Sequence, residues 1–186
     1  MDKKERGKYE NAILYFAKYL TPRQLGKTKL AKLLYYFDFI SYRDNGKPVT
    51  GALYYKQEYG SLAQDLTEVI GSLVADNKLE VNRIMVEGSD KQKDQFRAIA
   101  EPNEKVFNEY EQGLLRKLVT TYGGLPTEAI VAKSHLEAPW VKAKNGAALD
   151  YKFASDIEDF DSDVAKEALE EDTKVKEAVK AVLAAR

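Results

Sequence analysis

The stretch from Thr28 to Tyr42 sets the strongest constraint on this chain. It carries Leu30, Leu33, Leu34, Phe37 and Ile40 or Ser41 at helical spacing, which predicts an amphipathic helix with a core-facing stripe. Thr28 is a candidate N-cap, and Asp44-Asn45-Gly46 followed by Pro48 marks the stop. A second face, Lys29, Lys32, Tyr36, Phe39 and Arg43, runs beside that stripe. Long basic side chains with aromatic neighbours one turn away suit a protein-binding or phosphate-binding surface.

Other elements follow by the same reading. Ile13, Phe16, Ala17 and Leu20 predict a helix over 9–20, ended by Thr21-Pro22. The β-branched and aromatic run 49–59 predicts a short strand or extended segment with Gly51 inside it. A helix over 61–76 is expected after Gly60, with Ser61 as its cap. Alternation from Leu79 to Glu87 and a return over 95–100 predict a β-hairpin with a charged tip. One helix is expected over 103–122, ended by Gly123-Gly124. A second starts at Pro126 and a short third at Pro139-Trp140. The segment 163–185 is rich in Ala, Glu and Lys and should be helical. The fold class is therefore mainly α with a small β part: one helical domain over 1–148 and an acidic helical extension over 149–186.

Composition excludes several kinds of chemistry. With 186 residues and 44% hydrophobic content the chain can bury a real core. It has no Cys and one His, which removes disulfides, thiolate catalysis and His-rich metal sites. No apolar run approaches the ~18 residues of a membrane span. The charged start Met1-Asp2-Lys3-Lys4-Glu5-Arg6 lacks a signal-peptide core, so cytoplasmic residence is expected. Residues 1–48 hold 11 Lys and Arg against 5 Asp and Glu, a net of +6. Residues 149–186 hold 6 against 11, a net of −5. A basic front allows a nucleic-acid-binding role or an acidic tail lying over it.

No catalytic constellation is present in the sequence. Gly26-Lys27-Thr28 imitates the end of a P-loop, but position 21 is Thr where a Gly is required, and a helix precedes it. His135 reads as a structural histidine near Trp140. No catalytic residue, cofactor or metal is assigned. Tyr35, Tyr36, Tyr42, Tyr54, Tyr55 and Tyr59 cluster along the second helix and the segment after it, a composition that suits recognition.

The run Gly26-Lys27-Thr28-Lys29-Leu30-Ala31-Lys32-Leu33-Leu34-Tyr35-Tyr36-Phe37-Asp38-Phe39 resembles the opening signature of the Panacea, or SocA-like antitoxin, domain. The Gly46-Lys47-Pro48-Val49-Thr50-Gly51 step matches the family's Gly-x-x-x-Thr-Gly. The extended segment then ends in Tyr59-Gly60-Ser61, where Pro is usual at the last position. Ser134-His135 a few residues before Pro139-Trp140 completes the ordered set. The resemblance covers residues 26–145. It implies a compact, mostly helical antitoxin that binds and neutralises a cognate protein toxin encoded next door, in some cases within a prophage. It also implies that some members deliver the toxin to a protease. On this reading Lys29, Lys32, Tyr36, Asp38, Phe39, Arg43, Tyr54 and Tyr59 are candidate partner contacts, and a homo-oligomer is a further allowed assembly. Gly51, Gly60, Ser134, His135, Pro139 and Trp140 are candidate structural positions. Asp38, if buried, needs a partner, with Lys29, Lys32 or Arg43 as candidates. The alternatives are a nucleic-acid-binding regulator of its own operon and a hydrolase using His135.

Overall fold

The computed structural model describes residues 2–57, 60–85, 90, 92–158, 166–174 and 177. It is mainly helical with two small antiparallel two-stranded sheets. The order is α1 (Lys3–Tyr19), α2 (Lys27–Asn45), β1 (Tyr54–Gln57), β2 (Gly60–Ala63), α3 (Leu66–Ala75), β3 (Leu79–Met85) and β4 (Gln92–Ala98). A 3-10 turn (Glu104–Val106) leads into α4 (Glu109–Tyr122), α5 (Thr127–Leu136) and α6 (Ala138–Lys142), and a second 3-10 turn spans Tyr151–Asp156.

Helix α2 is the axis of the molecule. Every residue from Lys29 to Ser41 is buried, so it has no solvated face along that length. A helix enclosed on all sides lies at the centre of a fold. It packs against α1, α4, α5, β2, β4 and the Tyr151–Asp156 turn. Gly46, in the left-handed region at φ +70, ends it by donating its N–H to the Tyr42 carbonyl at 2.8 Å.

Local capping explains where helix boundaries depart from the periodicity. Helix α1 starts at Lys3 rather than residue 9, because Asp2 and Glu5 form a reciprocal capping box ahead of the first apolar residue. The helix expected over 103–122 is interrupted. Phe107 is extended, and Asn108 opens α4 with a second capping box to Glu111. The helix expected over 61–76 is corrected to a strand followed by a shorter helix. Residues 60–63 pair with 54–57, in register from Gln57↔Gly60 to Tyr54↔Ala63, and α3 begins at Leu66. Cross-strand pairing overrides the helical periodicity there. The hairpin expected over 79–100 is present, from Leu79↔Ala98 to Met85↔Gln92. Most of its tip lies outside the described residues.

The segment after residue 148 is continuous with the body as far as Ile157. Ala148 bridges to Tyr55, and Leu149 donates its N–H to the Tyr54 carbonyl at 2.7 Å. Tyr151 stacks on Phe39 (4.3 Å) and Tyr42 (5.3 Å) and donates its hydroxyl to the Ala52 carbonyl. Leu149, Ala154 and Ile157 belong to the core. Residues 166–174 are helical, with Ala168 buried, and the rest of the expected 163–185 helix lies outside the described residues.

Gly51 sits at φ +67, and a Cβ there would lie 2.9 Å from a carboxylate oxygen of Glu5. Gly51→Ala should destabilise the fold by about 1–2 kcal/mol through backbone strain, read as a lower urea midpoint with an unchanged m-value.

Candidate functional site

The signature residues of α2 form a polar network inside the protein, and each one ties the central helix to a different element. The partner-binding face expected along Lys29, Lys32, Tyr36 and Phe39 is corrected on this point. All four are buried, as are Asp38 and Tyr54, because neighbouring elements cover α2 all round.

Asp38 is fully buried and is satisfied by neutral donors, not by the lysines or arginine named as candidates. Its Oδ1 accepts the backbone N–H groups of Val49 (2.8 Å) and Thr50 (2.7 Å). Its Oδ2 accepts the hydroxyls of Thr50 (2.5 Å) and Tyr54 (2.8 Å). Burial pushes the carboxyl up to about 6, against the pull of these hydrogen bonds. The Asp38–Thr50 contacts hold the turn whose next residue, Gly51, takes the positive φ.

Glu137 forms the second centre, at the junction of α5 and α6. Its two carboxylate oxygens accept the hydroxyls of Tyr35 and Tyr36, each at 3.0 Å. Lys133, one turn earlier, donates at 2.6 Å, and both members of this ion pair are buried. Burial and the nearby carboxylate push both phenols far up, which keeps them protonated as donors. Consecutive tyrosines on one helix thus grip both oxygens of one carboxylate.

Lys32 lies beside this centre. Its ammonium donates to the Ser61 hydroxyl at 3.1 Å and sits 5.2 Å from the Trp140 ring and 5.8 Å from the Tyr35 ring. Lys56 reaches the same indole at 4.9 Å and donates to the carbonyls of Trp140 and Ala143, tying β1 to α6. His135 stacks on Trp140 with ring centres 4.0 Å apart. Lys29 donates to the carbonyls of Gly123 (2.7 Å) and Leu125 (2.6 Å), satisfying acceptors just past α4. Burial lowers the Lys29 ammonium to about 8 and the Lys32 ammonium to about 7.

The remaining named positions divide between packing and surface. Arg43 is partly exposed and donates to Asp44 (2.7 Å) and to the Ile157 carbonyl (2.8 Å). Tyr59 lies outside the described residues, and Gly60 opens β2 opposite Gln57. Ser134 is buried and back-bonds to the Val131 carbonyl at 2.8 Å instead of capping a helix end. Pro139 is buried in the first turn of α6. The sequence reading missed Glu137, Lys133, Ser61 and Thr50 as members of the network. The i, i+4 spacing of Lys133 and Glu137 is the one local signal that points to their pairing.

Residues 30–141 match the family model described as "Antitoxin SocA-like, Panacea domain". The chain belongs to this family. The match covers more than half of its 186 residues and contains Lys32, Tyr35, Tyr36, Asp38, Thr50, Ser61, Lys133 and Glu137. No curated protein and no solved structure matches the chain. Among the described residues no helix is long and apolar enough to cross a membrane, and no cluster of His, Asp and Glu is arranged to hold a metal.

Two predictions follow from the network. Glu137→Ala leaves Lys133 buried without its carboxylate and should cost about 3–5 kcal/mol in denaturant unfolding. The second concerns pH. Lys32 titrates near 7 when folded and near 10.5 when unfolded, so between these values the unfolded chain holds an extra proton and stability rises with pH. Asp38 titrates near 6 when folded and 3.8 when unfolded, so its contribution falls as pH rises through that interval. Together the two place a stability minimum between about 6 and 7, and Lys32→Met should flatten the upper limb in melting curves recorded across pH.

Proposed function

We propose that the chain neutralises a protein toxin by direct, non-covalent binding, as the antitoxin of a toxin–antitoxin pair. The carrying observation is membership of the SocA-like antitoxin family over residues 30–141. The interior supports a binding role without turnover. Lys32, Lys133, Asp38 and Glu137 are each held by protein donors and acceptors or aromatic rings and are withdrawn from solvent. A network of this kind gives the surface a fixed shape, which lowers the ordering cost of binding. Handing the bound toxin to a protease is an extension of the same role, needing a second contact surface.

Regulation through nucleic acid is less well supported by the placement of charge. Of the basic residues in the +6 front, Lys29 and Lys32 are buried, and Arg6, Lys8, Lys18 and Arg43 are ion-paired with Glu10 and Glu68, Glu111, Glu101 and Asp44. The other five of the eleven, Lys3, Lys4, Arg23, Lys27 and Lys47, are at least partly exposed and are what is left to release counterions from a duplex.

Co-expression with the product of the neighbouring gene tests the reading. Growth arrest caused by that product alone should be relieved when this chain is present. Arrest that persists in the presence of the soluble, folded chain would overturn it. Tyr36→Phe removes the hydroxyl that Glu137 accepts and should preserve rescue while lowering the melting temperature. That outcome marks an interior residue rather than a contact.

A further inference from the structure

The junction of α5 and α6 has a surface that matches no internal requirement. Leu136 and Val141 are 63% and 61% exposed, the highest values among the large apolar side chains described. They flank Glu137 by one residue and by four, and Val141 donates its N–H to the Glu137 carbonyl at 3.0 Å. A single exposed Leu carries no information by itself, but one that forms part of a cavity wall does.

The cavity has a volume of about 230 Å³ and is lined by Lys133, Leu136, Glu137, Asp156 and Glu158. One lysine faces three carboxylates, leaving two negative charges in excess. The Lys133 ammonium is already committed to Glu137 at 2.6 Å. Asp156 accepts the Ser155 hydroxyl at 3.1 Å and pairs with the half-exposed Lys142 at 3.2 Å, and a surface ion pair of that kind is readily exchanged. Glu158 is exposed. The floor is rigid because Glu137 is held by Tyr35, Tyr36 and Lys133, all from the interior.

The geometry points to this cavity and its apolar lip as the docking surface for a cationic, amphipathic segment of the partner polypeptide. In such a segment a Lys or Arg enters between Asp156 and Glu158, and an adjoining apolar side chain covers Leu136. This rests on the toxin-binding reading and names the contact surface for it. Charge decides the occupant. A second copy would set acid against acid, and the sequence beyond Glu158 adds Asp159, Asp161 and Asp163. An anionic membrane would be repelled for the same reason.

The test uses the full chain and the product of the neighbouring gene, with Leu136→Asp and Glu158→Lys made singly. Both residues are on the surface, so melting temperatures should be unchanged. Each variant should bind the partner at least about tenfold more weakly and rescue growth less well. Added salt should weaken the wild-type complex more than the Glu158→Lys complex. If Leu136→Asp melts early, Glu158→Lys carries the test alone. Variants that bind and rescue like wild type overturn this surface and leave the neutralisation reading standing. Failure of the wild type to rescue removes that reading and this surface with it. A change in oligomeric state with rescue intact would assign the face to contacts between copies and contradict the proposal.

Discussion

Withdrawal of charge from water around α2 is the constraint on which the rest of the fold depends. Lys29, Lys32, Asp38, Lys133 and Glu137 all lie inside the protein. A buried ion without partners is far too costly to persist, so each must find donors, acceptors or aromatic faces in a defined place. Those places are spread over the chain. Lys29 takes carbonyls past α4, and Lys32 takes Ser61 on β2. Asp38 takes the turn before β1, and Tyr35 and Tyr36 take the α5–α6 junction. One helix thereby dictates where four other regions sit. Apolar burial supplies the driving force, and the polar contacts fix the arrangement.

Much of this was legible in the sequence, but the helix's surroundings were not. The apolar spacing of Leu30, Leu33, Leu34 and Phe37 places α2 well, and Gly46 ends it as a glycine in the left-handed region should. Periodicity reports which face of a helix is apolar; it does not report that the other faces are covered too. Lys32 and Tyr36 look like a solvated flank until β2 and α5 are folded against them. The Asp2-x-x-Glu5 and Asn108-x-x-Glu111 capping boxes carried boundary information that apolar spacing alone overlooks. The β1–β2 hairpin was hidden because Leu62, Leu66, Val69 and Ile70 mimic a helical stripe through the strand. Glu137 was the hardest to see. Its tyrosine partners lie about a hundred residues away in sequence, and no local pattern encodes such a pairing.

Placing the signature inside separates two jobs within one domain. The interior network sets shape, and its residue types are restricted by desolvation. The exterior is free of that restriction and, on the proposed function, is what meets the partner. A domain built this way can keep its framework while its surface residues change. The exposed Leu136 beside a cavity floored by Glu137 shows how the buried framework reaches up to fix one surface feature.

The central claim, that the signature lysines are internal braces, is tested most directly by amine-reactive labelling of the folded protein followed by mass spectrometry. Lys29, Lys32 and Lys133 should be protected, while half-exposed Lys78 and exposed Lys142 and Lys152 react readily. Protection should vanish in denaturant. Labelling of Lys32 under native conditions as fast as Lys78 would place that face of α2 in solvent and contradict the account.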